Sequence, residues 1–249
     1  MAMFEFRLAP MDEIGGWGEE PNLHLHWFGL TDGTYWIDLG DVRLFEYVER
    51  VAGQRYVEYN ISRLHEDVLE VLPHALDPLP PDIVARLQDN SLEKTYRALE
   101  QEYEFNDDPP DLLNKTILVL SRRALQSSHL CPSANIWFWG YDAKVVIEWD
   151  NRDRLIDGEA AFTAAVGRHE MDREVFFEEV RSFDARLMAA MEERIAMVRE
   201  SWSRPDVIID MQQLVDEHPH RVNQLHKALG PISTDWEIVR SWLESTKSP

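Results

Sequence analysis

Apolar residues along this chain change their spacing from two to about 3.6 and back, and the changes divide it into four stretches. Residues 1–60 and 131–170 alternate as strands do, whereas 61–130 and 171–249 repeat at helical intervals. In the first stretch Leu23–Phe28 and Thr34–Leu39 flank Thr31-Asp32-Gly33. Asp-Gly between β-forming runs predicts a hairpin, because Gly accepts positive φ. Val42–Tyr47 and Arg55–Tyr59 continue it as a meander, and Gly15-Gly16-Trp17-Gly18 before it is a loop carrying an aromatic plug. In the third stretch Ile136–Gly140 and Lys144–Trp149 flank Tyr141-Asp142-Ala143 as a second aromatic hairpin, with a further strand over Ala160–Val166.

The helical stretches have readable starts and stops. Ser62 is a candidate N-cap for a helix through Leu64, Val68, Val71 and Leu72, which Pro73 interrupts and the prolines at 78, 80 and 81 end. Asp82–Tyr103 reads as one helix stopped by Asn106-Asp107-Asp108-Pro109-Pro110, and Asp111 opens a third that runs to Leu125. Phe176, Val180, Phe183, Leu187, Met191, Ile195, Val198 and Trp202 form one continuous stripe, predicting a helix over Asp172–Trp202 of roughly 45 Å. Asp210 before Gln213 and Thr234 before Glu237 are capping-box starts for two shorter helices, which bury Leu214, Val222 and Leu225 and then Trp236, Val239 and Trp242. The expected architecture is a single α+β domain over 1–249. Its antiparallel or mixed sheet holds both aromatic hairpins, and the long amphipathic helix and several shorter ones pack on it.

Charge narrows the partners. Forty-six Asp and Glu against twenty-five Lys and Arg give a formal charge of −21. Acids exceed bases by eleven to four in 1–60, thirteen to seven in 61–130 and twenty-two to fourteen in 131–249, so the acid is not a tail. Such a surface repels nucleic acid and anionic membranes and attracts a basic protein. One cysteine, Cys131, excludes an intrachain disulfide, and beside Pro132 it reads as a small buried apolar group. No export signal and no run of eighteen apolar residues is visible, and a cytoplasmic location is the expectation.

Phe4-Glu5-Phe6-Arg7-Leu8-Ala9-Pro10, His26-Trp27-Phe28-Gly29-Leu30-Thr31-Asp32-Gly33, Ile147-Glu148-Trp149-Asp150-Asn151 and Phe177-Glu178-Glu179-Val180 with Phe183 resemble a bacterial family known only as a domain of unknown function. The resemblance extends to about Met197, and Trp-Phe-Gly-Leu-Thr-Asp-Gly is its most specific segment. It implies a bacterial source and one recurring domain, and it assigns no catalytic residue.

Motifs for chemistry are sparse. His24 and His26 share a strand face, as a metal pair requires, but a third ligand would have to come from elsewhere, such as Asp38 or His129, and a hairpin face that simply carries two histidines beside aromatics is the simpler reading, so no metal and no cofactor is expected. His129-Leu130-Cys131 and His218-Pro219-His220 are weaker still. Asp150–Gly158 resembles a calcium loop, but Arg152 and Arg154 stand where oxygen ligands are needed. No phosphate-cradling Gly motif and no Gly-x-Ser-x-Gly elbow occurs. Glu148 and Asp150 share a strand face and could in principle act as acid and base, although among forty-six acids a solvated face is the simpler reading.

The aromatic hairpins remain as candidate binding elements, through Trp27, Asp32, Trp36, Trp137, Trp139 and Asp142. The leading expectation is an antitoxin-like or immunity-like protein that sequesters a basic partner on an acidic, Trp-bearing face, with catalysis left open. The alternative is a small-molecule enzyme or sensor whose pocket, between the hairpins and the helices, uses His24, His26, Asp32, Trp36 and Trp139.

Overall fold

The structure, a computed structural model, describes residues 2–104, 110–202 and 204–245. Strand β1 (Phe4–Leu8) is followed by β2 (Leu23–Leu25), β3 (Gly33–Asp38), β4 (Arg43–Leu44), β5 (Glu46–Val51) and β6 (Gln54–Glu58). Four helices come next, α1 (Ile61–Leu76), α2 (Pro81–Val84), α3 (Leu92–Glu104) and α4 (Asp111–Ser121). Strands return as β7 (Ile136–Tyr141), β8 (Lys144–Asp150), the short pair β9 (Leu155–Ile156) and β10 (Glu159–Ala160), and β11 (Val166–Asp172). Helix α5 (Arg173–Ser201), β12 (Val207–Ile209), α6 (Met211–Val222), α7 (Gln224–Ala228) and α8 (Trp236–Ser245) complete an α+β architecture. Contacts divide the chain into two compact units, one of residues 1–69, 161–164 and 177–228, the other of 70–160, 165–176 and 229–249.

The first unit is built on a sheet ordered β1-β3-β6-β5, with β4 also on β3. Residues 161–164 belong to it because Val48 N–H donates to the Ala161 carbonyl and Thr163 N–H to that of Glu46. The predicted stripe lies on β1. Phe183 stacks on Phe4 at 5.4 Å, and Phe183, Leu187 and Met191 are fully buried. The predicted hairpin at Thr31–Gly33 does not form. Residues 29–31 make a single 3-10 turn, Asp32 and Gly33 keep negative φ, and β3 pairs with β1 while β2 pairs in parallel with β12. Gly33 is small for another reason: a Cβ there would overlap the carbonyl oxygen of Arg7 on β1. The tight turn lies instead at Ala52-Gly53, both with positive φ, between β5 and β6.

The second unit contains the other aromatic hairpin, as predicted. β8 is central between β7 and β11, with Trp137 opposite Glu148 and Arg168 opposite Glu148 on its other side. Asp142 is exposed and takes φ 47° in the turn. One face of this sheet carries a core of Trp137, Trp139 and Val146 with Leu92 and Leu99 of α3, Leu113 and Leu120 of α4, and Val239 and Trp242 of α8.

Several boundaries differ from expectation for local reasons. Pro73 sits inside the last turn of α1 and does not break it, and the helix starts at Ile61, leaving the Ser62 hydroxyl 2.8 Å from that of Thr31. The single helix expected over Asp82–Tyr103 is broken where Asp89 and Asn90 take positive φ, so α3 starts afresh behind Ser91. The strand expected at Ala160–Val166 begins only at Val166. Asp210 does cap α6, accepting from Gln212 and Gln213 N–H at 3.0 Å, whereas the Thr234 hydroxyl donates to Asp77 at 2.6 Å. Val222 is 47% exposed rather than buried. Asn106–Pro109 of the predicted stop signal lie outside the described residues.

Candidate binding site

The best-developed site is in the second unit, where the N-terminal half of α3 meets β7 and β8. Its origin is the backbone at Asp89 and Asn90. Their left-handed conformations, at φ 51° and 55°, turn the chain so that Ser91 Oγ accepts from Lys94 N–H at 3.1 Å and caps the helix. A second cap comes from the sheet, since Glu93 N–H donates to Glu148 Oε1 at 2.6 Å. A carboxylate suits that place, because unpaired amides and the helix dipole converge there.

Glu148 and Asp150 are therefore buried, not solvated, and the reading of a water-facing strand is corrected. They share a face with Val146, which α3 covers. Their environments act in opposite directions. Burial pushes the Glu148 carboxyl up, against the Glu93 amide, the Ser91 hydroxyl and Arg168. Arg152 holds Asp150 down, donating from Nε at 2.9 Å and from its terminal nitrogen at 2.6 Å. Glu148 thereby ties the sheet to α3, while Asp150 is held by Arg152 two residues further on.

Outward from this lock, Glu93 Oε1 accepts from Asn135 Nδ2 at 2.9 Å and from Arg97 Nε at 2.8 Å, and Asn135 Oδ1 accepts from Trp137 Nε1 at 2.7 Å. Arg97 also lies 3.7 Å from Asp153. Beside them opens a cleft of about 290 Å³ whose lining includes Glu93, Tyr96, Glu100, Glu104, Trp137 and Asp153. Tyr96 and Trp137, with ring centroids 4.7 Å apart, form its aromatic wall, and Glu100 and Glu104 are exposed. The Tyr96 hydroxyl donates to Glu100 at 3.0 Å, and burial followed by that bond raises its pKa.

The other residues singled out in the sequence are placed as follows. Trp27, Trp36, Trp137 and Trp139 are all buried, at 0%, 8%, 2% and 1% exposure, so none stands out as a surface anchor. Each ring is used internally. Trp27 Nε1 donates to His218 Nδ1 at 3.2 Å, and Trp36 stacks on Tyr56 at 4.2 Å. His24, His26, Asp32 and Trp36 belong to the first unit, and Trp137, Trp139 and Asp142 to the second. Asp32 is half-buried and lines a cleft with Trp17, Glu58 and Asn60. It also opposes the fall to about 10 that burial causes in the Arg194 pKa. The exposed tryptophan among the described residues is Trp17, at 47%, edge-on to His26 and Phe28. Cys131 is exposed, in the loop before β7, and not the buried group expected. No group of three or more His, Cys, Asp or Glu among the described residues is placed to hold a metal ion, and no helix among them is long and apolar enough to cross a membrane.

The chain belongs to the Family of unknown function (DUF5984), whose sequence profile matches residues 3–242. The match runs on into α8, well past the Met197 at which the sequence resemblance faded. No curated protein and no solved structure matches it.

Proposed function

We propose that this protein is an acidic, immunity-like binding protein of a bacterial cytoplasm that holds a basic protein partner, with the α3 cleft receiving one of the partner's arginine or lysine side chains. The observation that carries this reading is the composition of the cleft, which presents the carboxylates of Glu100 and Glu104 at its rim and a Tyr–Trp pair on its wall, while the two arginines of its lining, Arg97 and Arg154, are paired with Glu93 and Asp153. A cation gains from both, through ion pairing with Glu100 and Glu104 and through the ring quadrupoles. At about 290 Å³ the cleft is at the small end of the roughly 300–1,000 Å³ that small-molecule sites occupy, and suits one side chain better than a metabolite. Acid elsewhere supplies steering. Each unit carries 23 of the 46 carboxylates, against 12 and 13 of the basic residues, so a cationic protein is drawn to either.

The test is to recover the partner from the native host at low salt, identify it, and measure its binding to wild type and to Glu100→Lys/Glu104→Lys. A basic partner, an association rate that falls with salt, and at least about tenfold weaker binding by the variant are expected. A neutral or acidic partner, an unaffected variant, or a bound metabolite in place of a protein would overturn the reading.

A further inference from the structure

β11 is an edge strand with a free side. Its pairing with β8 is fixed at both ends, where Asn151 N–H donates to the Ala165 carbonyl at 2.6 Å and Arg173 N–H to that of Ala143 at 2.8 Å. These bonds identify the odd-numbered residues as the ones whose main chain faces β8, because facing direction alternates along an antiparallel strand. Val166, Arg168, Glu170 and Asp172 therefore aim their N–H and C=O groups away from the sheet. The Asp172 carbonyl is taken up by the first turn of α5, no backbone bond outside the regular elements reaches the other groups among the described residues, and all four residues are exposed, Val166 at 54%. Seven residues of open edge invite another strand.

We infer that the occupant is β11 of a second copy of this chain, paired antiparallel about a twofold axis at His169. Charge register selects this pairing. Centred on His169, the outward-facing residues pair Arg168 with Glu170 of the second copy and Val166 with Asp172, and each Arg168–Glu170 contact is a hydrogen-bonded pair of the new ladder. Shifting the axis by one residue to Arg168 sets two arginines face to face, and shifting it to Glu170 sets two glutamates face to face. The central register alone among these three is complementary. It also keeps like side of sheet with like, since Arg168 and Glu170 already share a face, 2.7 Å apart within one chain. Two β7-β8-β11 sheets then become one of six strands, with a ring of two arginines and two glutamates across the seam. An isologous contact of this kind closes on itself and stops at the dimer.

Sedimentation at moderate salt, which screens the −21 charge on each copy, tests the inference together with amide exchange across a concentration series. Wild type is expected to dimerise as its concentration rises. The amides of Val166, Arg168, Glu170 and Asp172 should become protected in step, and those of the odd residues should not change. Glu170→Arg should weaken self-association by about tenfold or more, and Arg168→Glu/Glu170→Arg should recover it. The exchange measurement stands without any variant, should the double exchange fail to fold. A chain that stays monomeric, a dimer whose protected amides lie elsewhere, or a dimer indifferent to Glu170→Arg would overturn the inference. So would protection of these amides by the basic partner alone.

Discussion

The main-chain N–H of Glu93 donates to the Glu148 carboxylate at 2.6 Å, so a strand residue caps a helix fifty-five residues earlier in the chain. Removing that acceptor leaves a buried amide unpaired. Glu148→Ala is expected to lose about 1–3 kcal/mol in denaturant unfolding, whereas Glu148→Gln keeps a carbonyl acceptor and should stay within about 1 kcal/mol of wild type. The sign with pH follows from the raised pKa. Burial favours the protonated form, so the stabilisation from this group is present at acid pH and lost as pH rises through its folded pKa. Glu148→Gln should therefore compare best with wild type at neutral pH. Equal losses for Ala and Gln would remove the capping role.

His74 supplies a second pH dependence, of opposite sign. Burial, with Arg123 and Arg122 nearby, lowers its pKa to about 4. The unfolded chain takes up the proton first, so stability should decline as pH falls from about 6.5 to about 4 and lose nothing more through this group below that. A titration of melting temperature for wild type and His74→Leu checks it. The variant should show a flatter profile over that window, and parallel profiles would assign the acid sensitivity elsewhere.

Phe183, Leu187 and Met191 are each fully buried on the inner face of α5. Truncation to Ala at any of them is expected to cost about 2–5 kcal/mol, with the larger losses where the cavity cannot collapse. Losses below about half a kcal/mol at all three, measured by chemical unfolding, would contradict the packing of α5 on β1.

The stripe on α5 was legible because eight positions at helical spacing leave little alternative, and the second hairpin because its turn residues and its period agree. The first hairpin was misread because Asp32-Gly33 has the composition of a turn, while β1, which claims β3 as its partner, lies twenty-five or more residues upstream. Local pattern cannot see a partner at that distance. The same limit hid the site. Buried Glu148 and Asp150 look like surface acids until α3 is laid over them, and two of the tryptophans that looked like anchors, Trp137 and Trp139, are buried because the hairpin carrying them is the centre of a core. Trp17 was visible as an aromatic in a glycine loop, but nothing in the sequence said it would be left exposed.

That exposure has a spectroscopic consequence. A neutral quencher such as acrylamide should reach Trp17 well before the six rings at positions 27, 36, 137, 139, 149 and 242, all of which are buried. Trp17→Phe should remove the most accessible, longest-wavelength part of the emission with little change in stability, as expected for an exposed side chain. An unchanged quenching curve would place Trp17 under cover.

Gly33 separates two explanations of one sequence signal. If Asp32-Gly33 made a tight hairpin turn, Gly33 would need positive φ, and Asn, which tolerates that conformation, would replace it better than Ala. In the structure φ at Gly33 is not positive, and the space for a Cβ is taken by the Arg7 carbonyl oxygen, with Leu8 Cα at 2.9 Å. Every side chain must then push β1 away. Gly33→Ala and Gly33→Asn should both lose about 1–3 kcal/mol, with Asn no better than Ala, and amide protection should fall along β1. Gly53 provides the contrast. It has φ 85° and nothing within 4 Å of a Cβ, so there Asn should be tolerated better than Ala. Asn outperforming Ala at Gly33 as well would restore the turn and remove the β1 contact as the reason for that glycine.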